Sequence, residues 1–115
     1  MLTLYGISNC DTVKKAKQWL DKNGLNYAFH DYKKQGCPIA LVEELGAHFS
    51  LEQLINKRGT TWRNLEDHVK TDLDAEAAFA LMSENASLIK RPILHRNTQW
   101  LIGFNEADYQ AFFNS

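Results

Sequence analysis

Cys10 is the residue of this chain whose type and setting point most directly to chemistry. In Leu2-Thr3-Leu4-Tyr5-Gly6-Ile7-Ser8-Asn9-Cys10-Asp11-Thr12-Val13, Leu2 and Leu4 alternate with Thr3 and Tyr5 as in a half-buried strand. Gly6 and Ser8-Asn9 mark a tight loop, and from Val13 the apolar residues Val13, Ala16, Trp19 and Leu20 recur at helical spacing. The thiol is thereby placed at a helix N-terminus, where unpaired N–H groups and the positive end of the macrodipole favour an anion. A lowered pKa and a reactive thiolate are expected. The alternative is a buried, inert cysteine, against which the polar neighbours Ser8, Asn9, Asp11 and Thr12 speak.

A thiolate that attacks a disulfide, a sulfenic acid or an oxyanion ends up covalently modified and must be released. Two-thiol enzymes carry the second cysteine three residues on, but here that residue is Val13, so the loop is monothiol and an external thiol is the simplest resolver. Cys37 is the alternative resolving thiol. It lies in Gly36-Cys37-Pro38, which opens a second helix, so its pKa too is expected to be lowered.

The elements that must position Cys10 are those of one small domain. A chain of 115 residues can bury one core and not two. With 44% hydrophobic and 23% charged residues it is ordinary globular material, and 13 basic against 14 acidic residues leave nothing that advertises nucleic acid or an anionic membrane. No apolar run reaches transmembrane length, and Met1 leads straight into a strand, so a cytoplasmic protein is expected; a monomer is the expected state. Neither CxxC nor a short pair among His30, His48, His68 and His95 makes a metal site, and no tightly bound cofactor is expected.

In chain order, the first helix runs from about Asp11 to Asn23 and stops at Gly24, and Leu25 to Asp31 alternates as a second strand. Strand, helix and strand in so short a span imply a right-handed βαβ unit with parallel strands. His30 reads as a strand-end residue and not as a base. A second helix follows Pro38 as far as Gly46. From Ser50 to Glu84 the pattern is helical: a capping box of Ser50 and Gln53, a break at Arg58-Gly59-Thr60-Thr61, a piece carrying Trp62 and Leu65, and a piece begun by Asp74. Trp62 and Phe79 read as core. Ile89 to His95 and Gln99 to Ile102 form a hairpin, and Asn105 with Asp108 caps a last helix.

This order of elements, with Tyr5-Gly6-Ile7-Ser8-Asn9-Cys10-Asp11-Thr12, Arg58-Gly59-Thr60-Thr61-Trp62-Arg63 and Lys90-Arg91-Pro92-Ile93 at their separations, resembles the ArsC family of arsenate reductase-like proteins over essentially the whole chain. Within it, the chain is most similar to the branch of YffB-type proteins and Spx regulators. The resemblance implies an α/β, thioredoxin-like fold, a mixed four-stranded sheet flanked by helices, with a helical insertion. It implies one domain over residues 1–115, its core about 1–48 and 88–115 and its insertion about 50–85. It makes Cys10 the nucleophile, Arg91 the catalytic arginine before a cis Pro92, and Asn9, Asp11, Thr12, Arg58 and Pro92 the substrate-binding set.

The resemblance further implies an oxidoreductase with glutathione as reductant or co-substrate, a disulfide or oxyanion substrate, and a glutaredoxin as candidate partner. Two alternatives stand beside a glutathione-dependent thiol–disulfide reductase. One is an arsenate reductase; the other is an Spx-like redox-linked regulator that binds RNA polymerase. Where arsenate reductases carry two further arginines and a histidine, this chain has Asn56, with Arg58 two residues on, then Gly103 and Gly6. Stripping water from arsenate demands several charge-assisted donors, so a disulfide is the substrate this sequence suits better.

Overall fold

The computed structural model describes residues 1–71 and 73–114. In chain order the elements are β1 (Leu2–Gly6), α1 (Asp11–Lys22), β2 (Ala28–Asp31), α2 (Tyr32–Gln35), α3 (Ile39–His48), α4 (Leu51–Leu54), α5 (Thr60–Arg63), α6 (Asp67–Thr71), α7 (Ala75–Glu84), a 3-10 turn (Ala86–Leu88), β3 (Ile93–Arg96), β4 (Gln99–Ile102) and α8 (Glu106–Phe113). They divide into two compact units, one made of Met1–Gln35 with the chain from Arg91 onward, the other of Gly36–Lys90. Among the described residues no helix is long and apolar enough to cross a membrane.

The first unit is a four-stranded sheet in the order β2-β1-β3-β4. β1 and β2 run parallel, as the βαβ reading requires, and β3 is antiparallel to both β1 and β4. Leu4 pairs with Phe29 on one side and Leu94 on the other, and Leu94 pairs with Leu101. Because side chains alternate along a strand, this row faces one way and packs against Ala16 and Leu20 of α1 and Tyr109 and Phe112 of α8. The opposite face carries Tyr5, His30, His95 and Trp100, whose rings touch: Tyr5 lies 5.2 Å from His30, and His95 stacks on Trp100 at 3.7 Å. This is the mixed sheet flanked by helices that the resemblance implies.

The ends of α1 follow from local chemistry. Cys10 is its N-cap, in extended conformation, and the Lys14 N–H donates to the Cys10 carbonyl. At the other end the Gly24 N–H donates to Asp21 and the Leu25 N–H to Leu20, a Schellman motif that satisfies two terminal carbonyls. Leu25 is thereby spent on the cap, so β2 starts at Ala28 and not at Leu25. At its far end, Asp31 accepts the Lys33 N–H on Oδ1 and gives its own N–H to Gln35 Oε1, turning the chain into the single helical turn of α2. The sequence pattern carried no sign of α2.

In the second unit the Ser50–Gln53 capping box and the Asp74 cap of α7 form as expected. Ile55, expected on a helix, instead forms a β-bridge with Ile89. The Asn56 N–H donates to Leu88 and the Lys90 N–H to Leu54, each at 2.7 Å. The expected strand from Ile89 is therefore split, and β3 begins only after Pro92, which has no N–H to give a ladder. Thr60 and Thr61, expected as a break, open α5. Trp62 is half-buried beside Ile55, Leu81, Met82 and Leu88, in keeping with a core role.

The β3–β4 hairpin is tied to α8 by Arg96. Its guanidinium donates to Gln99 Oε1 at 3.0 Å and to the Phe112 carbonyl at 3.4 Å, and lies over the rings of Phe112 and Phe113 at 5.2 and 5.1 Å. The Phe112 carbonyl belongs to the last turn of α8, where helical partners run out. Arg96→Ala is expected to lower the unfolding free energy by about 1–2 kcal/mol, read from urea midpoints. Thr98→Ala, at the exposed hairpin tip, should change it by less than about 0.5 kcal/mol. Equal midpoints would show that α8 is held by its apolar face alone.

Candidate active site

The site is built in the first unit, where the end of β1 meets the start of α1. After Gly6 the chain turns over Ile7-Ser8-Asn9-Cys10, closed by the Cys10 N–H donating to the Ile7 carbonyl at 3.2 Å. The Cys10 thiol is free and half-buried. Burial pushes its pKa up, but the sulfur accepts from the Val13 N–H and from the Arg91 guanidinium, whose charge also favours the thiolate, and from the Thr12 N–H. These donors outweigh burial and hold the thiol below the ordinary cysteine value. Thr12 therefore acts through its backbone, while Asn9 and Asp11 are exposed on the turn and the first helical turn.

Arg91 is brought to Cys10 by strand pairing. β3 runs antiparallel to β1 with Ile93 opposite Tyr5, so the residues just before β3 lie at the end of β1. The Arg91–Pro92 bond is cis, and the Pro92 carbonyl accepts the Gly103 N–H at 2.8 Å, which ties this bend to the end of β4. Gly103 adopts φ +82, which favours glycine over any side-chain-bearing residue. An arginine at this position would be strained.

Gly6 plays a part that the sequence reading did not assign. A Cβ there would come within 2.8 Å of Val13 Cγ2, so the missing side chain is what lets the first turn of α1 approach β1. A histidine at position 6 would push away the turn that carries the Thr12 and Val13 amides. His30 pairs in register with Tyr5 on β2, as a strand residue.

Cys37 and Arg58 belong to the second unit. Cys37 does not open a helix: α3 begins at Ile39 with Pro38 as its N-cap, so Cys37 precedes the region where amides and macrodipole act. Its carbonyl accepts from Ser83 Oγ at 2.7 Å, and burial pushes its thiol up to about 11. The expected lowering of its pKa is thus reversed. Arg58 is exposed, its N–H donating to Asn56 Oδ1 ahead of α5. Among the described residues no group of three or more His, Cys, Asp or Glu side chains is placed to hold a metal ion.

The two thiols should separate cleanly in alkylation. Because the thiolate is the nucleophile, Cys10 should be labelled with a midpoint below that of free cysteine, and Arg91→Ala should move that midpoint up. Cys37 should resist labelling until the pH nears 11. The linkage has a sign: with the folded pKa of Cys10 below the unfolded one, folding stability rises with pH across the window between the two and the gain is lost below it. Mass spectrometry of iodoacetamide-treated protein checks the labelling order, and labelling of Cys37 before Cys10 would contradict it.

The ArsC family model matches residues 5–112. An uncharacterised Haemophilus influenzae protein is 47% identical over 113 residues, 98% of this chain and 99% of its own length. The global transcriptional regulator Spx of Streptococcus mutans is 29% identical over 116 residues, covering 97% of this chain and 82% of the regulator. Among solved structures, the YFFB protein superposes with a TM-score of 0.92 at 40% identity, covering 96% of this chain and 97% of that one. Sequence and fold agree over nearly the full length, and the chain belongs to the ArsC family, on its thioredoxin-like fold.

Proposed function

We propose that the chain is a monothiol oxidoreductase that exchanges disulfides through Cys10 with glutathione as the external thiol. The observation that carries this reading is the convergence of the Val13 and Thr12 amides and the Arg91 guanidinium on one sulfur, with buried Val13 where a two-thiol enzyme has its second cysteine. In the first step the Cys10 thiolate attacks a glutathionylated substrate. The Cys10 S–S bond to glutathione forms, the old S–S bond breaks, and the substrate leaves as a thiolate that takes a proton from water. In the second step a glutathione thiolate attacks the glutathionyl sulfur, glutathione disulfide departs, and Cys10 returns as the thiolate.

The same donors serve both steps. The lowered pKa raises the share of thiolate available for the first attack, and it eases the departure of Cys10 in the second because a thiol of lower pKa is a better leaving group. Cys37, with its thiol pushed up to about 11, is protonated at neutral pH and poorly suited to resolve the intermediate. Arsenate reduction fits less well, since Gly6, by contact with the Val13 side chain, and Gly103, by its left-handed φ, stand where charged or polar side chains would help hold an oxyanion. The Spx-named relatives leave a regulator reading, in which the partner interaction would survive loss of Cys10.

Turnover of a glutathionylated peptide, with glutathione as sole reductant and glutathione disulfide as the measured product, tests the proposal. Cys10→Ser should abolish turnover and Cys37→Ser should retain it. Turnover that survives Cys10→Ser would overturn the reading, and turnover lost in Cys37→Ser would move resolution to the second thiol.

A further inference from the structure

The end of the sheet that holds Cys10 is unevenly charged. Because β1 and β2 are parallel, with Gly6 opposite Asp31, the turn carrying Cys10 and the α2 turn leave the sheet at the same end, on neighbouring strands. α2 presents Lys33 and Lys34, both exposed, and neither has an ion pair among the described residues. Asp31, at the base of this turn, makes no ion pair with either ammonium group among the described residues. It is buried at 4% exposure, and its Oδ1 is taken up by the Lys33 N–H. Arg91 adds a third cation at the start of β3, beside the sulfur.

The carboxylates of this end lie elsewhere. Glu106 and Asp108 start α8, which follows β4 on the far side of the sheet from β2. Asp11, exposed on the first turn of α1, is the acidic side chain next to Cys10 in the chain. A molecule bonded to Cys10 and extending towards β2 therefore meets the ammonium groups of α2, and one extending towards β4 meets carboxylates mixed with Arg91 and Lys15. A charged surface of this kind raises the local concentration of ligands of opposite sign and speeds their arrival.

We infer that Lys33 and Lys34 select the substrate of Cys10 by charge: the preferred disulfide carries carboxylates on the thiol that bonds to Cys10, and those carboxylates lie over α2. This rests on the thiol-exchange reading above and narrows its substrate class. The lysines touch the ligand's charged ends and not the reacting sulfurs, so they govern which disulfide is captured and not how fast the captured one reacts. Lys15, exposed on α1, lies beside Glu106 of α8 and belongs to the other side of the site.

The test is a charge series. Exchange of Cys10 is timed by stopped flow with oxidised glutathione as the anionic disulfide, hydroxyethyl disulfide as the neutral one and cystamine as the cationic one, each at low and high salt. The anionic disulfide should react faster than the neutral one after correction for their intrinsic rates with free cysteine. Salt should slow the anionic reaction, leave the neutral one flat and speed the cationic one. The double substitution Lys33→Gln with Lys34→Gln should lower the anionic-to-neutral rate ratio by about threefold to tenfold, the range expected for two exposed charge contacts. Lys34→Glu alone should lower it at least as far as Lys34→Gln.

A ratio unmoved by the lysine substitutions overturns the inference and leaves the thiol-exchange reading standing. The same holds if salt does not separate the three disulfides. Failure of Cys10 to exchange with any of them would sink both.

Discussion

The approach of α1 to β1 at Gly6 is the constraint on which the site depends. Only with no side chain at position 6 can Val13 pack against the strand, and only then do the amides of Thr12 and Val13 reach the sulfur of Cys10. Antiparallel pairing of β1 with β3 supplies the remaining donor by carrying Arg91 to the same place. The lowered pKa of Cys10 is thus a product of one close contact and one strand register. Neither belongs to the cysteine itself.

Burial and donation oppose one another at this sulfur, and the balance differs between the two thiols of the chain. Cys10 is partly withdrawn from water, but three hydrogen-bond donors, one of them charged, compensate for that withdrawal. Cys37 is withdrawn without such donors, because Pro38 and not Cys37 caps α3. Both cysteines precede a helix in sequence. A displacement of one residue relative to the helix start separates a thiol held below the ordinary cysteine value from one pushed above it, since the field of the helix end fades within its first turn.

Glycines at positions 6 and 103 show how departures from an arsenate reductase pattern can be structural. Each stands where the backbone leaves no comfortable place for a side chain, one by contact with α1 and the other by a left-handed φ. The bend they help to hold contains one arginine and a run of amides. Such a set is sufficient to stabilise a single sulfur anion and sparse for a desolvated oxyanion.

Much of this was legible in the chain itself. The alternation of Leu2 and Leu4, the helical spacing after Val13, the Asn23-Gly24 stop, the Ser50 and Gln53 box and the Asn105 cap are local signals, each read from neighbours within a few residues, and each formed as expected. Cys10 at a helix start was readable for the same reason. Contacts between distant segments were not. The bridge of Ile55 to Ile89, the Arg96 tie to the end of α8 and the clash that keeps Gly6 bare all join residues whose separation in sequence gives no periodic sign. The pairing of Arg91 with Cys10 was reached only through family likeness. Local spacing therefore determined which helices and strands exist and that a thiol stands at one helix end. Tertiary packing alone decided which donors reach that thiol, because hydrogen bonds and burial act across ångströms of space and not along the chain.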